Sequence, residues 1–306
     1  MKIKRFVSIA LCALMLLPIL AGCGAKTEPT VATAAPAATE AATTAPAAAE
    51  TTAPAALAED VQKIVDRGVL RVGVKNAVLG FGFQDELTGE YSGMEISLAQ
   101  KIAEYLGVDV EFTAVTAATR TELLDSGDID CVLATFTITE ERKKSWDFTT
   151  PYYTDYVTVL VEDASGIKTL ADLKDKKVGV SSGSTSGKAL VKAMIEAGVL
   201  SGDGFDADSF DPATWTDGVS FAQYDDYPTI STALSAGEVD AFCVDKSILA
   251  VYHTDGRSYI DDKFSPQEYG IATTKDSGMS KLCEDLVTGW LADGTIDALI
   301  AENGIA

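Results

Sequence analysis

From residue 59 onward, short apolar runs alternate with stretches whose apolar residues recur every three or four positions. Val69-Leu70-Arg71-Val72-Gly73-Val74 reads as a strand, preceded by a short helix over 59–67. Ile96, Ala99, Ile102, Ala103 and Leu106 lie at helical spacing within 95–106, and Gly107 follows as a stop. The same alternation predicts strands over 108–115, 129–134, 156–161, 177–181, 239–244 and 269–274. It predicts helices over 121–126, 170–173, 186–197, 227–236 and 279–292. Strands separated by helices imply an α/β fold, a parallel-rich sheet with helices on both faces. The stretch 200–218 departs from the pattern. It is rich in aspartate and glycine and poor in apolar residues, and it reads as a surface insertion.

The first 57 residues follow a different pattern. Lys2, Lys4 and Arg5 precede an apolar run over 6–20, too short for a membrane span but suited to a secretory signal. The run ends in Leu20-Ala21-Gly22-Cys23, which resembles the lipobox of bacterial lipoproteins. That resemblance implies a signal peptide over 1–22 and a diacylglycerol on Cys23. Ala, Thr and Pro make up 27 of the 34 residues over 24–57, and the prolines interrupt any helix the alanines would favour. Residues 23–57 therefore read as a lipidated cysteine followed by a disordered tether, with a reach of roughly 30 Å.

Charge narrows the function. The chain carries 24 Lys and Arg against 46 Asp and Glu, a net charge of −22, and from residue 58 on the balance is 20 against 43. Such a field repels phosphate backbones, so no nucleic acid is expected as a partner. A single histidine, His253, argues against a histidine-rich metal site or a histidine-based triad, and it reads as a helix-end residue. Five cysteines without a CxxC spacing argue against a zinc knuckle. Cys131, Cys243 and Cys283 read as core residues. No metal and no cofactor is expected.

Gly183-Ser184-Thr185-Ser186-Gly187-Lys188 has the look of a phosphate loop. The Walker pattern, however, needs glycine where Ser182 stands and Ser or Thr where Ala189 stands. What remains is a strand, a small turn and a helix start, which serves equally as an anion cradle or a simple helix cap. No paired carboxylates and no nucleophile–base set stand out, so the chain does not read as an enzyme.

One segment says more: Gly127-Asp-Ile-Asp130-Cys-Val-Leu-Ala134-Thr135-Phe136-Thr137-Ile138-Thr139-Glu-Glu-Arg142, running on to Asp147-Phe148-Thr-Thr150-Pro151-Tyr152. Thr135 and Thr137 point the same way along an extended chain. Arg142 can return a planar fork of donors suited to a carboxylate, or it can be a surface charge in the run 142–144.

This segment resembles the signature of the family 3 solute-binding proteins of polar amino-acid ABC importers. Gly93-Met94-Glu95-Ile96, Gly179-Val-Ser-Ser-Gly183-Ser184-Thr185, Gly237-Glu-Val-Asp240-Ala-Phe-Cys-Val-Asp245 and Ser265-Pro-Gln-Glu-Tyr269-Gly-Ile-Ala272 extend the likeness over about 58–306. The resemblance implies a two-lobed periplasmic binding protein type 2 (Venus-flytrap) fold with two crossover strands. Lobe 1 is expected at about 58–157 and 272–306, and lobe 2 at about 158–271.

It also implies site roles. Thr137 and Arg142 are expected to hold the ligand α-carboxylate, with Thr185 and its backbone closing from lobe 2, and Thr135 and Ser184 are further expected ligand-binding residues. Asp245 is expected to accept the α-ammonium, although an aspartate at a strand end can instead cap the next helix. Lys75 and Arg120 occupy positions that are basic in aspartate- and glutamate-binding members, with Phe81 and Tyr227 as further walls. The implied function is an amino-acid-binding lipoprotein, anchored through Cys23 on the extracytoplasmic face of the cell membrane, that delivers an acidic amino acid to an ABC permease and ATPase complex. Glutamine, cystine or another polar amino acid is the alternative ligand. More distant alternatives are a cyclohexadienyl-dehydratase-like enzyme and a sensor domain that signals through a separate protein.

Overall fold

A computed structural model of the chain describes residues 57–305. The signal, Cys23 and all but the last residue of the tether lie outside the described residues.

The chain opens with α1 (Glu59–Arg67) and β1 (Val69–Val74). A small antiparallel sheet follows, formed by β2 (Ala77–Val78), β3 (Gly82–Gln84) and β4 (Tyr91–Ser92). Next come α2 (Met94–Leu106), β5 (Asp109–Ala114), α3 (Thr119–Ser126), β6 (Cys131–Leu133) and β7 (Trp146–Phe148). The second half contains β8 (Tyr153–Glu162), β9 (Lys176–Ser181), α4 (Ser186–Glu196), β10 (Val219–Tyr224), α5 (Tyr227–Ser235), β11 (Ala241–Asp245), α6 (Lys246–Leu249), β12 (Arg257–Tyr259) and β13 (Phe264–Tyr269). The chain then returns through β14 (Ala272–Thr274) and ends in α7 (Gly278–Ala292) and α8 (Thr295–Glu302).

Two mixed sheets organise these elements into two lobes. The first has the order β5-β1-β6-β14-β7, with β1 parallel to both neighbours and β14 antiparallel to β6 and β7. The second runs β10-β9-β11-β8-β12, with β13 also paired to β8. There β9 is parallel to β10 and β11, while β8 is antiparallel to all its partners. Central position explains the apolar runs: Leu70, Val72 and Val74 of β1 are fully buried, as are Val157, Val159 and Leu160 of β8.

The chain crosses between the sheets twice, after Phe148 and after Tyr269. The single strand expected over 269–274 is thus divided, because Gly270 and Ile271 lie between strands of different sheets. The two passages are stitched together. Tyr152 N–H donates to Tyr269 O at 2.9 Å, and Thr137 bridges to Tyr269 from the first lobe.

The stretch 200–218 holds no helix or strand, but it does not hang free of the core. Phe205, Phe210 and Trp215 pack with ring centroids 5.6–5.9 Å apart, and Phe210 meets Phe221 of β10 at 6.2 Å. The segment lies on the surface, as its polar composition implies, with these three aromatics half-buried against the core of the second sheet. Cys131, Cys243 and Cys283 are buried free thiols.

Candidate functional site

The strand ends of the two sheets face each other and carry the candidate residues. On the first lobe the chain turns sharply after β6, with Thr135 in the left-handed region at φ 44°. Its N–H donates to Glu95 Oε1 at 2.6 Å, and Tyr152 OH donates to the same oxygen at 2.5 Å. Glu95 can reach this turn because Gly93, before α2, takes φ 124°, where a Cβ would fall 2.2 Å from Phe81 O. Burial pushes the Glu95 carboxyl upward, against the stabilising donors from Tyr152 and Thr135.

Arg120, in the first turn of α3, extends under this bend. Its Nη1 donates to Ala134 O at 2.9 Å and Thr135 O at 3.3 Å, and its guanidinium lies 3.7 Å from the centre of the Phe136 ring. Arg142 approaches the same ring at 4.7 Å. Arg142 Nη1 donates to Thr137 O at 2.7 Å, and Nη2 crosses to the second lobe to reach Gly183 O at 3.0 Å. Burial and the nearby Arg120 charge push Arg142 down to about 9. Lys75 follows β1 and is 3% exposed; its Nζ makes one long hydrogen bond, 3.4 Å to Val115 O, and lies 5.3 Å from the Tyr227 ring centre. Burial first, then Arg120, hold Lys75 well below the usual ammonium range. Lys75 and Arg120 are therefore buried cations, not solvated ones.

The second lobe contributes Asp245 at the end of β11. Asp245 stands before α6 but makes no capping bond to it. Asp155 of β8 takes that role, accepting from Ser247 N–H at 3.0 Å and from its hydroxyl at 2.5 Å. Asp245 is left facing the cleft, with Oδ2 accepting from Tyr269 OH at 2.5 Å. Burial and the Asp155 charge raise it to about 7, against the pull of Tyr269, Arg120 and Arg142.

The turn after β9 approaches the first lobe closely. Ser184 and Thr185 line a cavity of about 570 Å3 together with Phe136 and Arg142. The Thr185 hydroxyl donates to Gln267 Oε1 at 2.8 Å, so it is tied to the return strand β13. Phe81 is fully buried, edge-on to Tyr153 at 5.1 Å and to Tyr269 at 5.8 Å. It backs the tyrosine that holds Asp245. Glu95, Tyr152, Asp155, Tyr269 and Ser181 complete the arrangement. Sequence reading assigned none of them a ligand-binding role, although Glu95, Tyr152, Ser181 and Tyr269 lie in the segments that carry the family likeness.

One observation gathers the site. Buried side-chain polar atoms lacking a hydrogen-bond partner among the described residues include Glu95 Oε2, Arg120 Nε, Thr135 Oγ1, Ser181 Oγ and Asp245 Oδ1. Each such atom costs about 1–3 kcal/mol, and five of them converge on the strand ends of two lobes. A ligand with polar groups of both signs supplies the kind of partner such atoms lack. The chain matches the family of bacterial extracellular solute-binding proteins, family 3, over residues 70–303. It belongs to that family.

Among family members, a glutamine-binding protein of Geobacillus stearothermophilus is 31% identical over 280 residues, 90% of this chain and 94% of the relative. The L-cystine-binding protein TcyJ of Escherichia coli (strain K12) is 32% identical over 245 residues, 78% and 84% of the two chains. Of solved structures, an ancestral arginine-binding protein bound to arginine is similar with a TM-score of 0.64 and 35% identity, covering 77% of this chain and 98% of that one. The protein is thus an extracytoplasmic amino-acid-binding component of an ABC transporter, with a type 2 periplasmic binding protein fold. These relatives are binding proteins, and the role is binding rather than catalysis. Their ligands differ from one another, so this chain's ligand has to be argued from its own cleft. Among the described residues no group of three or more His, Cys, Asp or Glu could hold a metal, and no helix is long and apolar enough to cross a membrane.

Proposed function

We propose that the cleft binds an α-amino acid with an acidic side chain, glutamate or aspartate, and that the protein delivers it to an ABC permease while anchored to the membrane through Cys23. The observation that carries the ligand class is the lack of ion-pair partners for the cations of the cleft. The buried Lys75 and Arg120 and the half-buried Arg142 converge on the cleft, yet none has a carboxylate within 4 Å among the described residues. Buried charges are stable only when compensated, and a ligand bearing two carboxylates compensates where one bearing a single carboxylate does not.

The roles follow from that balance. Arg142 and Thr137 hold the α-carboxylate, Asp245 accepts the α-ammonium, and Lys75 and Arg120 hold the side-chain carboxylate. A guanidinium or ammonium side chain would meet like charge at Lys75 and Arg120. A carboxamide would leave one cation uncompensated. The ligand draws the lobes together to the extent that it binds the apposed state more tightly.

Isothermal titration of the purified protein with glutamate, aspartate, glutamine and arginine tests the ligand class. Glutamate or aspartate should bind at least tenfold more tightly than the other two. Tight binding of glutamine or arginine with no response to the acidic pair would overturn the ligand class and leave the transport role standing. The anchor is tested separately by Cys23→Ala, which should move the protein from the membrane to the soluble fraction.

A further inference from the structure

Away from the cleft, toward the starts of β1 and β6, the first lobe holds a separate cavity of about 300 Å3. Lys63 and Arg67 reach it from α1, four residues apart and so on one helix face, and Arg71 reaches it from β1. Lys75, on the cleft, stands four residues beyond Arg71, about 13 Å along an extended chain. Two carboxylates also line the cavity, Asp60 and Asp130, and both are engaged. Asp60 accepts from Met279 N–H at 2.9 Å. Asp130 accepts from Arg71 N–H at 2.8 Å, from Arg71 Nη2 at 2.9 Å and from Arg67 Nη2.

The cations keep donors to spare. Arg71 Nε is buried with no hydrogen-bond partner among the described residues. Arg67 spends Nε and Nη2 on Val69 O and Asp130, and its Nη1 makes no hydrogen bond among the described residues. Lys63 has only an exposed pair with Glu59 at 2.8 Å, a surface contact of little strength. Three cations against two engaged carboxylates leave this cavity electropositive in a chain of net charge −22. We infer that the cavity is an anion site, separate from the amino-acid cleft, that takes a phosphate group. A carboxylate has two oxygens in one plane and is satisfied by a single guanidinium fork. A phosphate has acceptor oxygens on several sides, which suits two guanidiniums and an ammonium arriving from a helix and a strand. A free phosphate ester and an anionic lipid headgroup offer that same chemistry.

Titration of the intact protein in phosphate-free buffer with glycerol 3-phosphate, and with acetate as the carboxylate control, provides the test. Glycerol 3-phosphate should bind saturably and about tenfold or more tightly than acetate, and Lys63→Gln/Arg67→Gln should weaken it about tenfold or more. Arg67 also braces Asp130, so Lys63→Gln alone serves as a second variant. Its position is exposed, and it should keep the parent's melting temperature while lowering affinity about threefold or more. Co-sedimentation with phosphatidylcholine vesicles, with and without an equal part of phosphatidylglycerol, separates the two sources. An excess on the mixed vesicles that the variants lose assigns a lipid headgroup, since any acyl anchor contributes equally to both vesicles. Saturable glycerol 3-phosphate binding without that excess assigns a free phosphate ester. Acetate binding as tightly, affinities and vesicle excess unchanged in both variants, or neither saturable binding nor a vesicle excess would overturn the site.

Discussion

Arg142 reaches from the first lobe to the second, where its Nη2 donates to Gly183 O at 3.0 Å while Nη1 holds Thr137 O at 2.7 Å in its own lobe. One guanidinium thus ties the signature turn of one lobe to the small-residue turn of the other. It also sits where a ligand carboxylate is proposed to bind, so apposition of the lobes and capture of the ligand draw on the same group.

Arg142→Gln should therefore cost more than one hydrogen bond. Charge-assisted hydrogen bonds contribute about 1.5–3 kcal/mol each, so affinity should fall at least tenfold and by as much as several hundredfold. Without ligand the variant removes a half-buried charge that has no carboxylate within 4 Å among the described residues, and its melting temperature should stay close to the parent's. Thermal shift with and without ligand separates the two effects: the ligand-induced rise disappears while the baseline holds.

A second contact spans the lobes nearby, Lys188 Nζ to Glu141 Oε2 at 3.2 Å, but both side chains are substantially exposed. Exposed ion pairs contribute about 0–1 kcal/mol. Lys188→Ala should change affinity less than about fivefold, and that small change should vanish in high salt. The contrast with Arg142 would separate burial from mere proximity as the source of inter-lobe stabilisation.

The alternation of strands and helices was legible because apolar periodicity is a local property, but the extended run expected to carry Thr135 and Thr137 is broken by a turn, with Thr135 at φ 44°. What else escaped was long-range. That Asp155 caps α6 and so leaves Asp245 facing the cleft depends on β8 lying beside β11, 92 residues separating Asp155 from Ser247. The Glu95 bond to Thr135 likewise spans 40 residues. The short strands β2, β3, β4, β7 and β12 also went unread, since two or three residues carry no measurable period, and so did the longer β10, β13 and α8. The surface reading of 200–218 holds, with every residue of 201–218 exposed or half-buried; composition did not show that Phe205, Phe210 and Trp215 meet one another and that Phe210 meets Phe221.

Asp245 carries a pH signature. Its carboxyl is raised from the ordinary 3.8 to about 7 by burial and by Asp155, so in the folded protein it holds its proton more tightly than in the unfolded chain. Its contribution to stability is thus fully present below the ordinary carboxylate range and is lost as pH rises through about 7. Asp245→Asn should raise the ligand-free melting temperature relative to the parent at pH 8 and less so at pH 5. Binding has the opposite sign. The α-ammonium needs the ionised carboxylate, so affinity should fall as pH drops below about 7, and Asp245→Asn should bind weakly at every pH.

Lys75 provides a proton-linked counterpart. Burial and Arg120 hold its ammonium well below the usual range, and a ligand carboxylate placed beside it favours the charged form. Binding should take up protons at alkaline pH, so affinity should decline as pH rises. Calorimetry in buffers of different ionisation enthalpy measures the uptake directly. Lys75→Met should abolish it and weaken acidic ligands more than neutral ones.

Gly183 sets how closely the lobes meet. It holds φ at 73°, a left-handed conformation that costs a residue with a Cβ about 1 kcal/mol, and a Cβ there would lie 2.8 Å from Ala117 O on the opposing lobe. The added methyl would have to displace backbone rather than a flexible side chain, so the two turns would separate by some tenths of an ångström. That displacement lengthens the Arg142 bond to Gly183 O, which is already 3.0 Å. Gly183→Ala should therefore weaken ligand binding by about tenfold or more, chiefly through faster dissociation from lobes that no longer seat fully. The ligand-free variant should melt within a few degrees of the parent. Stopped-flow dissociation rates would check the prediction: an unchanged off-rate in a folded Gly183→Ala protein would mean that the close approach at Ala117 plays no part in holding the ligand.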